Sequence, residues 1–344
     1  MPTPYLPRVA TIPIMPNLPP WLAFTQGNFH HVLPHSGLDE NSGRSPVQAF
    51  KTLAAVVAAT GGSAGASGLK ANQNDAVLLY AENNDTSAYT TDYQATMLNW
   101  SKDLTHLIGV NGGAPFSPRS RIAAAAPYAS ANPMMTVSAD GCSFSNLGLF
   151  LGVASVLPIG CLSVTGSRNR FESCHIAGIG NDANDIANAY SLSVSGDENY
   201  FKNCIIGLDT VSRGSADNCE LLMAGGARNI FDHCRFISFA AVNTHHFVKR
   251  ASNTTDRFTT FLACSFQNFD WAGAGGATML EVFDATASAG SPGGLIDLDP
   301  DCWFSGALAW ETNAGASGIV RAATKTAAAA SATSAGRALA VTGI

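Results

Sequence analysis

The amino-acid sequence predicts an all-β solenoid, a coil of short strands stacked in register. The main observation is an internal repeat: segments 161–176, 191–206, 221–236 and 251–266 align without gaps at a spacing of 30 residues. A repeat of this length cannot bury its apolar face alone, so successive copies must stack. The composition agrees, because only 13% of the 344 residues are charged and 46% are hydrophobic.

Three kinds of side chain recur at fixed positions of the repeat, and each set predicts a column of stacked residues. The phenylalanine, cysteine and asparagine columns comprise Phe171, Phe201, Phe231, Phe261, Cys174, Cys204, Cys234, Cys264, Asn169, Asn199 and Asn229. Phe and Cys lie three residues apart, so a corner or bulge between them is needed to turn both inward. Asparagine tolerates a left-handed turn, and we expect the stacked amides to bond to one another. Thr259 interrupts this last series.

The β-region is expected to run over residues 70–310. An earlier coil places Phe144 in the phenylalanine column and Leu147 in the cysteine column. A late, degenerate coil is indicated by residues 295–298 and 302–304.

The N-terminal segment has a different composition. Residues 1–38 are rich in proline and aromatic residues, and proline excludes both a helix and a central strand, so we predict an extended arm. Its candidate anchoring residues are Pro13, Pro16, Trp21, Phe24 and Phe29. A disordered tail and an arm buried against a neighbouring subunit are both compatible with this composition.

A capping helix and a glycine-rich linker are predicted for residues 39–69. Ser45 is an N-cap candidate with Pro46 at the first helical position, and the following apolar residues fall on one face, which predicts an amphipathic helix at about 46–59. Such a helix would cover the open end of a solenoid, where edge strands otherwise recruit further strands. The Ala-rich tail, residues 311–344, is compatible with a frayed helix or a second arm.

This layout resembles a known class of proteins. The runs SGRSP at 42–46 and AFKTL at 49–53 resemble the N-terminal segment of right-handed parallel β-helix proteins of the pectate-lyase-like class, and the repeats resemble their coils. The order of arm, capping helix, low-charge β-helix and Ala-rich tail also resembles virion proteins of tailed bacteriophages. The resemblance implies a head decoration protein, head fibre or tailspike, usually trimeric.

Partners and location follow from the same resemblance. We expect a homotrimer that attaches through the arm to the major capsid protein or another virion protein, in a virion assembled in the host cytoplasm. No cofactor is expected. The net charge of −6, without a Lys/Arg cluster, argues against a nucleic-acid partner. No membrane partner is expected either, because the uncharged run 147–164 contains glycine, serine and proline and is interpreted as buried β-structure.

The eight cysteines could bind a metal or form disulfides, but their spacing argues against both. Cysteines one coil apart form a column rather than a tetrahedral cluster. Their parallel Cβ vectors suit a disulfide poorly. We therefore predict buried free thiols. The histidines offer no third ligand, so no metal site is predicted.

A pair of carboxylates is the remaining route to catalysis, because glycosidases use two acidic groups roughly 5–10 Å apart. The acidic candidates are Asp182, Asp185, Asp197, Glu198, Asp209, Asp217 and Asp232. Most lie in turn-rich contexts such as GNDAND and SGDEN, where Asp and Asn favour turns. No pair is found at one register of adjacent coils with an Arg or Lys beside it, so no catalytic residue is predicted.

The sequence thus favours a non-enzymatic structural virion protein that decorates or stabilises the capsid or forms a short head fibre. The alternative is a tailspike or receptor-binding protein that binds or depolymerises host surface polysaccharide. Trp271, Trp303 and Trp310 would line its sugar groove, although they also suit a core that closes the end of the solenoid. A secreted polysaccharide lyase is a third option, opposed by the lack of a secretory signal.

Overall fold

A computed structural model gives the fold of the chain. It describes residues 27–60, 74–82, 91–111, 115–116, 118–128, 130–215, 217–251, 257–269, 275–284, 294–312 and 320–322. The candidate anchoring residues Pro13, Pro16, Trp21 and Phe24 lie outside this part of the chain, as do Trp271 and most of the Ala-rich tail.

The described residues form one α-helix and many short strands. The strands of the N-terminal coils are β1 Phe29–Val32, β2 Ala76–Tyr80, β3 Asp92–Gln94, β4 Leu98–Trp100, β5 His106–Val110, β6 Arg121–Ala124, β7 Met135–Val137, β8 Ser143–Ser145 and β9 Gly148–Phe150. The central coils contain β10 Gly160–Val164, β11 Arg170–Glu172, β12 His175–Ala177, β13 Tyr190–Val194, β14 Tyr200–Lys202, β15 Ile205–Arg213, β16 Cys219–Met223, β17 Asn229–Asp232 and β18 Arg235–Ala240. The last coils contain β19 His246–Arg250, β20 Phe258–Leu262, β21 Ser265–Asn268, β22 Phe283–Asp284, β23 Leu295–Leu298, β24 Trp303–Ser305 and β25 Val320–Ala322. Helix α1 is Leu53–Thr60.

The strands form three sheets, in which neighbouring strands are three apart in chain order except at the two ends of the first sheet. The first sheet has the order β1-β2-β5-β8-β11-β14-β17-β20-β23-β25, the second β3-β6-β9-β12-β15-β18-β21-β24 and the third β4-β7-β10-β13-β16-β19-β22. Neighbouring strands pair in parallel. Because the chain visits the three sheets in turn, each circuit is one coil. The structure therefore confirms the parallel β-helix.

The phenylalanine column forms the centre of the core. Phe171, Phe201 and Phe231 lie opposite one another in the first sheet, with ring centroids 4.7 Å apart and rings within 7° of parallel. Phe144 continues the stack at 4.7 Å and Phe261 at 5.0 Å. Each stacked pair contributes about 0.5–1.5 kcal/mol beyond the burial of its area. The period of 30 residues is thus the length of one coil.

A single turn residue directs both the phenylalanine and the cysteine inward. Ser173, Asn203, His233 and Ala263 lie between the first and second sheets, with φ of 54°, 52°, 52° and 47°. This left-handed conformation makes the corner that sequence alternation alone does not provide. The eight cysteines are buried free thiols. Cys174 donates to the carbonyl of Phe144 in the previous coil at 3.6 Å, and burial raises its pKa.

The asparagine column bonds differently from our expectation. The side chain of Asn199 accepts from the backbone N–H of Asn169 at 3.0 Å and donates to the carbonyl of Gly166 at 3.0 Å. Its amide therefore joins main chains of the previous coil rather than other amides. The left-handed residue is the one before it, Glu198, with φ of 58°. Asparagine suits this position because it offers a donor and an acceptor together.

The N-terminal boundary also differs from the predicted arm. Residues 29–32, assigned to the arm, form β1 and pair with β2, so Phe29 lies in the solenoid. A 3₁₀-helix covers Pro46–Gln48, and α1 begins only at Leu53, where the Thr52 hydroxyl accepts from the N–H of Ala55 at 3.1 Å. Leu53 and Val56 are buried in the core. The capping role of this helix stays a prediction.

The cysteine column and the first sheet both continue at the C-terminal end of the solenoid. Cys302 continues the cysteine column, because the N–H of Cys264 donates to its sulfur at 3.4 Å. Residues 320–322, assigned to the Ala-rich tail, form β25 beside β23. No helix in the described part of the chain is long and apolar enough to cross a bilayer.

Candidate functional site

A column of alternating charges lies on the outer face of the first sheet. Glu172, Lys202 and Asp232 occupy one register in three successive coils. The neighbouring outward column contains Arg170 and Tyr200. The sequence search looked for carboxylates in adjacent coils, whereas Glu172 and Asp232 lie two coils apart, so it did not detect this column. The signal was available, since the three residues are spaced by 30.

These side chains bind one another rather than solvent alone. Arg170 donates to one oxygen of Glu172 through Nε and Nη2, at 3.1 and 3.0 Å. Its guanidinium also lies 5.0 Å from the ring centroid of Tyr200. The Tyr200 hydroxyl donates to Asp232, which also lies 2.5 Å from Nδ1 of His233. The column is therefore a connected network.

The network sets the charge state of two groups. Partial burial raises the pKa of Asp232, but hydrogen bonds from Tyr200 and His233 outweigh it, so the net pKa is lowered. Burial and the bond to Asp232 raise the pKa of Tyr200 to about 12. At neutral pH the pair is therefore a carboxylate with a neutral phenol donating to it.

A groove runs beside this column, where the first and second sheets meet. Its volume is about 410 Å³. The lining residues are Pro115, Asn203, Cys204, Ile205, His233, Cys234, Arg235, Ala263, Ser265, Gln267 and Trp303. Its floor follows four successive strands of the second sheet, which at about 4.8 Å per strand spans roughly 14 Å along the solenoid axis. The groove therefore suits an extended ligand better than a compact one.

The groove carries an exposed cation and an open aromatic face. Trp303 is 40% exposed. Arg235 is exposed, and no hydrogen bond or ion pair joins its guanidinium to another described residue. None of the described residues that line the groove is an Asp or Glu. Gln267 and Asn203 add amide donors and acceptors at either side. Such a surface can stack on an apolar ring face and hold an anionic group.

The other acidic candidates mostly serve turns. Asp185 accepts from the N–H groups of residues 214 and 215 at 2.7 and 3.1 Å. Asp197 accepts from the N–H of residue 227 at 2.7 Å. Glu198 pairs with Arg168 at 2.8 Å and with Arg228. Asp182 lies in a 3₁₀-helix, and neither Asp209 nor Asp217 lines the groove.

The tryptophans take different places. Trp303 lines the groove, whereas Trp310 is buried and packs edge-on against Phe304 at 4.6 Å. Trp303 therefore lies where a sugar groove would need it, whereas Trp310 belongs to the core at the end of the solenoid. Among the described residues, no group of three His, Cys, Asp or Glu side chains is arranged to hold a metal ion.

A second polar cluster is sealed inside the corner of the solenoid. Arg213 and Glu220 are fully buried, with Nε of the arginine 3.4 Å from the carboxylate. The terminal nitrogens of Arg213 donate to four backbone carbonyls. Burial raises the pKa of Glu220, but Arg213 and His245 reverse this, and the net pKa is lowered. The cluster is inaccessible to a ligand and stabilises the end of β15. Sequence reasoning missed it because neither residue recurs.

Comparisons with known proteins agree with this fold. Neither a family model nor a curated protein matches the sequence. Pectate lyase Pel9A superposes with a TM-score of 0.52 at 14% identity, over 79% of this chain and 62% of that chain. Pectin methylesterase PemA from Erwinia chrysanthemi gives 0.46 at 15% identity, over 80% of each. The enzymatically active domain of bacteriophage CBA120 tailspike protein 2 gives 0.32 at 10% identity, over 65% and 43%. The likeness to the pectate lyase is one of fold, and it agrees with the parallel β-helix.

Proposed function

We propose that the protein binds an extended, negatively charged polysaccharide in the groove between the first and second sheets. The observation that carries the proposal is an exposed Trp303 and an exposed Arg235 in one groove; among the described residues, Arg235 has no ion-pair partner and no carboxylate lines the groove. Concave sites with one apolar platform and a few converging polar groups are typical of ligand binding. The length of the groove along four strands favours a polymer.

We further propose that binding proceeds without cleavage. Hydrolysis by two carboxyl groups needs one of them protonated at working pH. The pKa of Asp232 is lowered, because the bonds from Tyr200 and His233 outweigh its burial, so it is a poor proton donor at neutral pH. Glu172, two coils away, accepts hydrogen bonds from Nε and Nη2 of Arg170. These features support a binding protein rather than a hydrolase.

The biological setting we propose is the virion of a tailed phage, in which this protein contacts the host surface. The layout of the sequence supports this setting, with a proline-rich segment ahead of a low-charge β-helix. In this proposal the chain forms a homotrimer, and residues 1–26 attach it to the capsid or another virion protein.

A purely structural decoration of the capsid is the second candidate. It is favoured by apolar side chains on the connection after the second sheet, where Val156 and Leu157 are 62% and 46% exposed. Exposed apolar groups of this kind suit packing against another subunit. In that case no polysaccharide would bind the groove.

Titration calorimetry with purified acidic host polysaccharide tests the proposal. We expect saturable binding that weakens about tenfold or more in R235A, equivalent to about 1.4 kcal/mol. The exposed Lys51 lies far from the groove, and the K51A variant is the matched control, expected to bind like the wild type. Absence of binding to any host polysaccharide would favour structural decoration. Steady release of reducing ends would show that the protein is a depolymerase instead.

A further inference from the structure

Three residues on the floor of the groove form a single outward column. Arg235, Ser265 and Trp303 lie at the same register of three successive strands of the second sheet, because Arg235 pairs with Ser265 and Ser265 pairs with Trp303. The residue after each of them is a phenylalanine that packs on the core, so these three side chains point out of the solenoid. The groove therefore presents a cation, a hydroxyl and an aromatic ring at regular steps along the solenoid axis.

The middle position of this column is occupied by a small side chain. Ser265 is 6% exposed, whereas Arg235 and Trp303 are both exposed. All three residues line the same cavity of about 410 Å³. The Ser265 hydroxyl accepts from Nε2 of Gln267 at 3.3 Å. Because serine is much shorter than arginine or tryptophan, the floor of the groove has a notch at Ser265.

The spacing of the column matches the repeat of a polysaccharide. Neighbouring strands of a sheet lie about 4.8 Å apart, and one pyranose unit of an extended chain has a similar length. A sugar chain that lies along the solenoid axis therefore advances by one unit per coil. Arg235 and Trp303 are two coils apart, so the chain needs three units to place one sugar at each position of the column.

We propose that three consecutive sugars occupy this column, with an acidic sugar at Arg235, a second sugar over the notch at Ser265 and a third stacked on Trp303. The inference rests on the proposed function and adds the register and the minimum length of the ligand. An arginine fork binds a carboxylate through two parallel N–H···O bonds. An exposed indole ring covers the apolar face of a sugar. Ser265 determines whether the middle sugar fits, because a larger side chain fills the notch.

Titration calorimetry with oligosaccharides of one to five units, prepared from the acidic host polysaccharide, tests the register. We expect the wild type to bind a trisaccharide with an acidic sugar at one end at least tenfold more tightly than the disaccharide. Each further unit should add less. In W303A the gain between two and three units should disappear. Equal affinities of the wild type for the disaccharide and the trisaccharide would overturn the proposal.

The S265I variant tests the notch. Isoleucine already occupies this column at Ile205, one coil before Arg235, so the variant should fold, as circular dichroism can check. Its affinity for the trisaccharide should fall at least tenfold, although the arginine and the tryptophan of the column are kept. S163I makes the same change on the outer face of the third sheet, where Leu222 continues the column of Ser163, and should bind like the wild type. Undiminished binding by S265I would contradict the assignment.

Failure of this inference can be told apart from failure of the proposed function. If the intact polysaccharide binds the wild type but no gain separates two units from three, the register is wrong and the binding function stands. If neither the polymer nor any oligosaccharide binds the wild type, the proposed function fails and the register fails with it. The length series uses the wild-type protein, so its result does not depend on the folding of a variant.

Discussion

Asp232 connects the polar column of the first sheet to the groove, because it contacts both Tyr200 and His233. Its folded-state pKa is depressed: burial raises it, but these two partners lower it further. A depressed carboxyl contributes stability above its unfolded pKa of about 3.9, and this contribution is lost as pH falls through the folded pKa. We therefore expect part of the acid destabilisation of the protein to depend on Asp232.

The D232N variant tests this dependence. Its Tm should fall less steeply than that of the wild type between about pH 5 and pH 2, because the amide carries no titrating charge. Thermal unfolding across this range measures the difference. D209N is the control, since Asp209 lies in β15, outside the network of Tyr200, Asp232 and His233, and the variant should keep the wild-type profile. Identical profiles for D232N and the wild type would contradict the network.

Phe201 is the core residue whose replacement should lower the stability of the protein most clearly. It is fully buried, with a ring 4.7 Å away on each side. F201A should lower the free energy of unfolding by about 3–5 kcal/mol, since the rings above and below cannot close the cavity. Urea unfolding measures this. F269A, at a phenylalanine that is 47% exposed, should change stability by less than about 1 kcal/mol. Comparable losses in both variants would rule out the stacked column as a dominant source of stability.

Among elements, β15 departs most from the regular coil. Its register with β18 shifts between Leu208 and Arg213, so extra residues protrude there. The buried Arg213 stabilises this irregular segment through its ion pair with Glu220 and its hydrogen bonds to backbone carbonyls. The irregular strand therefore depends on one buried ion pair.

Removing one partner of the ion pair between Arg213 and Glu220 should lower the stability of the protein. R213M should destabilise the protein by about 3–5 kcal/mol, because Glu220 is left charged and buried. The double variant R213M/E220Q should recover part of the loss, since it removes the orphaned charge. R235M makes the same change at an exposed arginine and should be close to neutral. Chemical denaturation gives all three values, and a double variant no more stable than R213M would argue against the charge explanation.

The elements also show how far sequence reasoning reaches. The 30-residue spacing predicted the columns of Phe201 and Cys204 correctly, because a stacked coil repeats its inward positions. It did not show that Asn199 bonds to main chains, since an asparagine column alone fits both patterns. The outward column of Glu172 and Asp232 was missed because the search required carboxylates in adjacent coils, whereas these lie two coils apart. Exposure of Trp303 had no local sequence signal.

For the whole molecule, the start of β1 sets how much chain can be removed. Deleting residues 1–26 should leave a folded β-helix, because β1 begins at Phe29 and its pairing with β2 is kept. Deleting residues 1–38 also removes β1 and should lower the Tm. Circular dichroism compares the two. In the proposed virion setting the shorter deletion should also abolish incorporation into phage particles. Incorporation of the protein lacking residues 1–26 would disprove the anchoring role.

The central claim is that a polysaccharide lies along the groove between the first and second sheets. The most direct test is a crystal structure of the protein with an oligosaccharide of the acidic host polysaccharide. The account predicts density along the groove, with a sugar ring on Trp303 and a carboxylate or other anionic group at Arg235. Density bound elsewhere, for example on the outer face of the third sheet with the groove empty, would contradict it.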